Sequence, residues 1–592
     1  MSDLHTFHIP VLGVGYSIDT PVKVARFGIS SVISIMDDEL LETMRQFYCT
    51  KTGAVYKQIE KHEHDARARR ITAYLDTVNE IVTSQIAELK ELPFGQGNEP
   101  DKYFNFLPKG TSAKQKYIEV VDMQDSPTRR RIEQELRDGI TAGAIDVNIM
   151  AKVDKPNQDK DGQPLPQEFS DALSALRGFA NSTLTSSVVI SAGYNPRLYA
   201  YFENFSDFYP GEDGLLKKKI ILKVSDYRSA LIQGKIFAKK GIWVSEFRIE
   251  SGLNCGGHAF ATDGLLLGPI LEEFKNNRNA LTAELFKICV EAQSNKGIQP
   301  FTECPKLKIT VQGGIGTADE QEFLMSHYHL DSTGWGSPFL LVPEATNVDK
   351  LTIEQLATAE KDDYYLSHAS PLGVPFNNFR KSSAEQQRMQ RISKGRPGSP
   401  CYKKMLVSNT EFTAEPVCTA SRLYQHLKIK QLQEQKLPEE QYNTEYNKII
   451  EKDCLCEGLT APALLKEDIP VPHNLTAVTI CPGPNLAYFS GIFSLADMIG
   501  HIYGRKNILN SLPRPHMFVN ELQLYISYLK DAGGELNLNA KRSKYLATFK
   551  TNLQEGVNYY QKLAQEFIQS MQSDLNLAEK ELQAVYIPST TD

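Results

Sequence analysis

The chain has 592 residues, a formal net charge of -7, an isoelectric point near 6.0, 41% hydrophobic residues and 23% charged residues. That length supplies ample core for two to four domains, and the mild acidity argues against the basic face of a nucleic-acid binder. No stretch approaches the eighteen or more apolar residues of a membrane span, residues 1–8 lack the order of a secretion signal, and nine irregularly spaced cysteines fit reduced thiols, so a soluble cytoplasmic protein is expected.

A first strand is predicted over residues 8–14, followed by a turn to Pro21. Pro21 suits a helix start, with Thr20 or Asp19 as cap, and this short helix stops near Gly28. A second strand over 30–36 follows at once. Strand, short helix and strand in so short a span read as a parallel βαβ unit. The rhythm then breaks. Charged helical stretches at 56–92 and 128–137 are too long for one crossover, which places an inserted helical subdomain over 37–140. Its run Lys61-His62-Glu63-His64-Asp65 invites a metal reading. Residues two apart do not share a helix face, so a solvated charged face is expected instead.

Strands resume at 144–153, 187–192, 218–224, 241–249, 307–312 and 336–342. Most are β-branched and apolar, as when both faces of a parallel sheet are covered. Periodicity alone does not separate a closed barrel from an open doubly wound sheet. The count of eight, with glycine-bearing ends on the last two, favours an α/β fold of the (β/α)8 TIM-barrel type over 1–36 and 141–370.

The strand ends carry the chemistry. Strand seven runs into Gln312-Gly313-Gly314-Ile315-Gly316-Thr317, and strand eight is approached through Asp331 and Gly334-Trp335 and opens on Gly336-Ser337-Pro338. Glycine lets the backbone approach an anion and offer its N–H groups, and the loops after barrel strands seven and eight are the usual phosphate site. After strand six comes Asn254-Cys255-Gly256-Gly257-His258. Two glycines clear space for a flat ligand, and an imidazole at the barrel mouth suits a general base. Cys255 adjoins the same pocket as a second catalytic candidate. Tyr194 and Arg197, after strand four, and Trp335 are weaker substrate-contact candidates.

These segments, in this order, resemble the FMN-dependent nitronate monooxygenases (2-nitropropane dioxygenases) and the flavin-dependent enoyl-acyl-carrier-protein reductases that share their barrel. In that family they read Glu-Ala-Gly-Gly-His, Ala-Gly-Gly-Ile and Gly-Thr-Arg-Phe. The resemblance spans about residues 9–345, interrupted by the insertion. It implies FMN phosphate held at Gly313, Gly314, Gly336 and Ser337, with Gly256 and Gly257 beside the ligand. It also implies Asn148 and Lys223 against the isoalloxazine ring, and His258 removing or orienting a proton next to a nitro or carbonyl group. Asn254-Cys255 replaces the family's Glu-Ala, and Gly13-Val14-Gly15 replaces its Met-Ala-Gly, which leaves FMN in place and the substrate open.

Beyond the barrel, residues 367–379 are loop-like and expected over the pocket. A cysteine-containing mixed extension follows over 371–514 and a helical region over 515–592. Cys401, Cys418, Cys454, Cys456 and Cys481 invite an iron–sulfur or zinc site, but their intervals do not match known ligand spacings, so scattered buried thiols and no metal are expected. Residues 479–489 suggest a strand and a tight turn. The apolar stripe Leu563, Phe567, Met571 and Leu575 predicts a helix packing on the barrel or on a second copy in a homodimer. The resulting expectation is an FMN-dependent oxidoreductase or monooxygenase for a small or acyl substrate with an acidifiable carbon, acting without nucleic-acid or membrane partners. A non-catalytic flavin- or phosphate-binding subunit and a flavin-free barrel for a phosphorylated substrate are the alternatives.

Overall fold

Eight short strands pair in parallel, in chain order, and close into a barrel when β1 meets β8. They are β1 (Phe7–Ile9), β2 (Ser30–Ser34), β3 (Ile145–Ile149), β4 (Ser186–Ile190), β5 (Lys218–Val224), β6 (Val244–Glu250), β7 (Lys308–Gln312) and β8 (Ser332–Gly334). The computed structural model describes residues 4–95, 97–151, 154–191, 193–474, 476–534 and 539–587. Lys152, Val153 and Ala192, at the ends of two expected strands, lie outside the described residues.

Side chains alternate along each strand, so one set faces the surrounding helices and the other fills the barrel. Outward residues such as Val147, Ile190, Leu222, Phe247 and Val311 are buried under helices as part of one continuous core. The inward set contains a small separate apolar cluster of Val32, Val189 and Ile221. Beside it lies a polar network in which Arg248 Nε donates to Glu246 Oε1 (2.8 Å) and Thr310 Oγ1 donates to the same oxygen (2.6 Å).

Several strands end earlier than expected, the third at Ile149 rather than 153, and three of the differences have a clear local cause. The eighth strand is Ser332–Gly334, and Ser337–Leu341 forms a 3-10 helix. Pro338 has no N–H to give to a ladder and sets φ for a helical turn, so the apolar run there cannot be a central strand. Strand one stops at Ile9 because Pro10 follows. Strand six begins at Val244, after Gly241 turns the chain at φ +73.

Residues between β2 and β3 form the helices Asp38–Thr52, Ala66–Glu91, Glu99–Phe106, Ser112–Val121 and Pro127–Asp138. The charged run at 61–65 sits in turns ahead of the second of these helices rather than on a helix, and His62 and His64 are exposed. Residues 367–379 are not a plain loop. Strands β9 (Tyr364–Ser367) and β10 (Phe376–Phe379) pair antiparallel around it. The stretch expected as a strand near 479 is irregular and leads into a 3-10 helix, Pro484–Tyr488, because prolines 482 and 484 cannot donate to a ladder.

The C-terminal helices Met517–Gly533, Ala540–Glu566 and Gln572–Ala584 pack on the barrel. Buried Glu521 accepts from Ser251 Oγ (2.6 Å), from the Leu267 N–H (2.9 Å) and from Tyr560 Oη (3.2 Å). Leu563, Met571 and Leu575 are buried as expected, whereas Phe567 is 57% exposed where the long helix breaks.

Candidate functional site

A cavity of about 510 Å3 opens at the C-terminal end of the strands. Its floor is the last inward position of successive strands: Ser34, Asn148, Lys223, Glu250, Gln312 and Gly334. The register pairs Ser34 with Asn148, Glu250 with Gln312, and Gln312 with Gly334, while Lys223 lies opposite Arg248, one inward position below Glu250. Catalytic groups of such barrels sit at this level because loop variation there does not disturb the sheet.

The floor is charged and connected. Lys223 Nζ lies 2.8 Å from Glu250 Oε1, and Gln312 Nε2 donates to that same oxygen (2.6 Å). Among the described residues Asn148 Oδ1 is buried with no partner, whereas Gln312 faces the buried His8 ring. An orphaned buried acceptor costs free energy unless a ligand N–H completes it, so Asn148 Oδ1 marks a place where a polar ligand edge fits.

One wall is the loop after β7. Gly313 and Gly314 have φ of +107 and +81, a region L side chains avoid. A Cβ at Gly313 would lie 2.6 Å from Cys255 Sγ, and one at Gly314 would lie 2.4 Å from Asn254 Nδ2. Three of the loop's carbonyls are engaged from behind: Gly314 O by Arg514 Nη2 (2.8 Å), Ile315 O by Asn485 Nδ2 (2.9 Å) and Gly316 O by His501 Nε2 (2.8 Å). A trans peptide sends the following N–H to the opposite side, away from these donors. Among the described residues the backbone N–H groups of Gly313, Gly314, Ile315 and Gly336 have no protein acceptor. The Gly316 N–H is already taken by the Glu320 carboxylate (2.8 Å). Ser337 Oγ accepts from the Gly483 N–H (2.7 Å), so this hydroxyl retains its own proton to donate.

A second wall is the loop after β6. It is clamped between β10 and the segment around Cys481: the Gly257 N–H donates to Cys481 O (2.9 Å), the Asn377 N–H to Gly257 O (2.9 Å) and Asn377 Nδ2 to Cys255 O (2.8 Å). Gly256 is needed because a Cβ there would meet the Cys481 carbonyl at 2.6 Å. The half-buried His258 shares a 2.7 Å hydrogen bond between Nε2 and Ser370 Oγ, and its ring meets Phe376 edge-on at 5.1 Å. Burial and the Glu250 carboxylate push the Cys255 thiol well above its ordinary pKa. A thiol held protonated is a poor nucleophile, so the geometry gives Cys255 a packing place under Gly313.

Ten of the sequence-derived candidates therefore line one cavity: Asn148, Lys223, Cys255, Gly256, Gly257, His258, Gly313, Gly314, Gly336 and Ser337. Trp335 does not. It is buried on the helix side, with Nε1 donating to Gln321 Oε1 (2.7 Å). Tyr194 is 55% exposed and packs on Tyr199, and Arg197 is exposed. Neither lines the cavity.

Sequence reasoning did not single out Glu250 as a site residue. The signal was available, since Glu250 and Gln312 are the last residues of adjacent strands and follow the inward alternation from Glu246 and Thr310. Leu372 and Val374 put the segment 367–379 over the pocket, as expected, but sequence reasoning missed the rest of the roof: Leu406, Leu455, Leu459 and Ile480 also come from the extension and make it apolar. No known protein family matches the chain, and no curated protein matches it.

Proposed function

We propose that the chain is an FMN-dependent oxidoreductase acting on a small or acyl substrate with an acidifiable carbon. The observation that carries this reading is the row of unpartnered N–H groups at Gly313, Gly314, Ile315 and Gly336, on two adjacent strand ends that border a deep cavity. Such a row is suited to a phosphate dianion. The orphaned oxygen of Asn148, on a residue that lines the same space, suits the N–H-bearing edge of a flat heterocycle.

FMN would be held by the Gly313–Gly336 amides and the Ser337 hydroxyl at its phosphate, and by Asn148, Gln312 and Lys223 at its ring. When bound it supplies a two-electron acceptor, the chemistry a protein scaffold lacks. His258 then has the role of taking or orienting the proton on the substrate carbon, with Ser370 fixing its ring. The apolar roof excludes water and selects an apolar substrate body.

The test is release of bound small molecules from the purified full chain, followed by mass spectrometry and absorption spectroscopy. One FMN per chain is the expected result. His258→Ala is expected to keep FMN and lose its reduction by a nitronate or enoyl thioester. A colourless protein that instead retains a phosphorylated metabolite replaces this reading with a flavin-free phosphate-binding barrel.

A further inference from the structure

His258 lines the cavity, but the group that meets its ring comes from outside the barrel. Its Nε2 lies 2.7 Å from Ser370 Oγ, and Ser370 is fully buried in the turn between β9 and β10. The Ser370 hydroxyl also accepts the Leu372 N–H (3.2 Å), and its carbonyl accepts the Gly373 N–H (3.2 Å). These bonds fold the turn on itself and leave its seating to another segment. That segment is residues 451–453, directly after the helix Glu439–Ile450. Glu451 Oε1 accepts from the His368 N–H (2.7 Å), and the Asp453 N–H donates to Ala369 O (3.0 Å). Between them, Lys452 Nζ donates to His368 O (2.6 Å) and to Ser370 O (3.0 Å).

We propose that Lys452 is a positioning residue for His258, acting through Ser370. An ammonium carries its donors on a single atom, so it draws both carbonyls of the turn to one point. Lys452 is half-buried, and hydrogen bonds from a charged donor are stronger than neutral ones. The carbonyl that Nζ holds and the hydroxyl that meets the imidazole belong to the same residue. The Nζ contact therefore sets where Oγ stands, and with it the direction of the ring.

Asp453 carries the clasp further. Its Oδ1 accepts from Ser399 Oγ (2.6 Å) and from Arg391 Nη2 (2.7 Å). Ser399 closes the base of segment 399–421, giving its N–H to Ala420 O (2.9 Å) and accepting the Arg422 N–H (3.1 Å). Leu406 of that segment lies in the cavity roof. Roof and histidine are thus anchored at adjacent residues, 453 and 452. The weight of this contact in turnover rests on the oxidoreductase reading, whereas the orientation of His258 does not. A lysine that merely glued the turn in place would add stability and leave the reactivity of His258 unchanged. Loss of a positioning contact instead frees Nε2 as Ser370 withdraws.

The experiment reads His258 directly. The purified full chain is treated with diethyl pyrocarbonate, which acylates an uncharged imidazole nitrogen, and the rate at the His258 peptide is followed by mass spectrometry. Ser370→Ala and Lys452→Met are each expected to speed modification about tenfold over wild type, and Lys452→Arg, which still offers donors to both carbonyls, to stay within about threefold. The double variant should be no faster than Ser370→Ala alone, because Lys452 acts through that residue. Buried His5 and His501 stay unmodified while a variant is folded; if they react in Lys452→Met, Lys452→Gln, which keeps an N–H donor, takes its place. In FMN-loaded protein the lysine variant should lower kcat about tenfold and leave KM within about twofold. The proposal is overturned if the folded lysine variant modifies His258 at the wild-type rate, or if the two single effects multiply in the double variant. The expected rates in a protein that holds no FMN would uphold the positioning role and overturn the oxidoreductase reading alone.

Discussion

Arg514 Nη1 lies 2.6 Å from Glu320 Oε1, and this buried pair ties the end of the extension to the loop after β7. Arg514 also holds the Gly314 carbonyl, and Glu320 accepts the N–H groups of Gly316 (2.8 Å) and Met517 (2.7 Å). The phosphate-type loop is thus shaped from behind by residues some two hundred positions later in the chain. The neighbouring guanidinium holds the Glu320 carboxyl below its ordinary pKa despite burial.

Removing one partner of a buried pair leaves the other charge uncompensated. Arg514→Met is therefore expected to cost about 3–5 kcal/mol of stability, read by urea unfolding. Arg514→Met with Glu320→Gln should recover only part of that loss, because the charge is gone but the amide oxygen accepts one of the Gly316 and Met517 N–H groups while its NH2 faces the other. If the single variant is as stable as wild type, the pair does not anchor the loop.

The glycines of the site separate strain from crowding. Gly257 has φ +76, and a Cβ added there would meet nothing within 4 Å, so Gly257→Ala costs backbone strain alone, about 1 kcal/mol. Gly313→Ala adds a 2.6 Å approach to Cys255 Sγ, and Gly314→Ala a 2.4 Å approach to Asn254 Nδ2. Both should cost about 2–3 kcal/mol and weaken FMN binding at least tenfold. Thermal unfolding and fluorescence titration with FMN measure the two effects. Equal losses for all three variants would show that only φ matters.

Local sequence carried the barrel far. The β-branched runs at β3 to β7 and the glycines at 256–257 and 313–314 are local signals, and each fell where the strands end. What failed depended on partners distant in sequence. The apolar run 338–342 has strand composition, yet Ser332-Thr333-Gly334 lies between β7 and β1 and takes the ladder. Trp335 sits between two glycines of the site, but Gln321 draws its N–H to the helix side. The roof comes from short elements and irregular chain, where no periodicity says which segments meet.

Lys223 is not a lone cation at the flavin position, because Glu250 neutralises it at 2.8 Å. Glu250→Gln keeps an oxygen for Gln312 and unmasks the positive charge. In the FMN-loaded protein this should favour the reduced, anionic ring and raise the midpoint potential, whereas Lys223→Met should lower it. The pair is partly solvated, so a modest effect is expected, about 30 mV for 1.4 kcal/mol in a two-electron couple. Anaerobic titration against reference dyes reads the potential. Shifts of the same sign in both variants would rule out an electrostatic role for the pair.

Glu521 links the C-terminal helices to Ser251 and Leu267 from a fully buried position, and burial pushes its carboxyl from an ordinary 4.5 up to about 7. Its folded pKa lies above its unfolded one, so between about pH 4.5 and 7 the folded state binds more protons. Stability contributed by this group is therefore full at the acid end, falls as pH rises through 7 and is level above that. The span corresponds to about 3 kcal/mol. Buried Asp146, pushed up to about 6, adds a loss of the same sign over a lower range. Asp38 and Glu320, held low by arginines, contribute oppositely, but only as the solution becomes more acidic than their unfolded values. Buried His5, His8, His501 and His516 are held neutral by burial and pull the other way, adding stability as pH rises toward their unfolded value near 6.5, so the Glu521 contribution is read as the difference between wild type and Glu521→Gln in urea unfolding from pH 5 to 8. Relative to wild type, Glu521→Gln should become steadily more stable from pH 5 to 7.5 and stay so at pH 8. A difference curve that is flat across this range would mean that Glu521 is ionised in the folded protein and paired by a group outside these contacts.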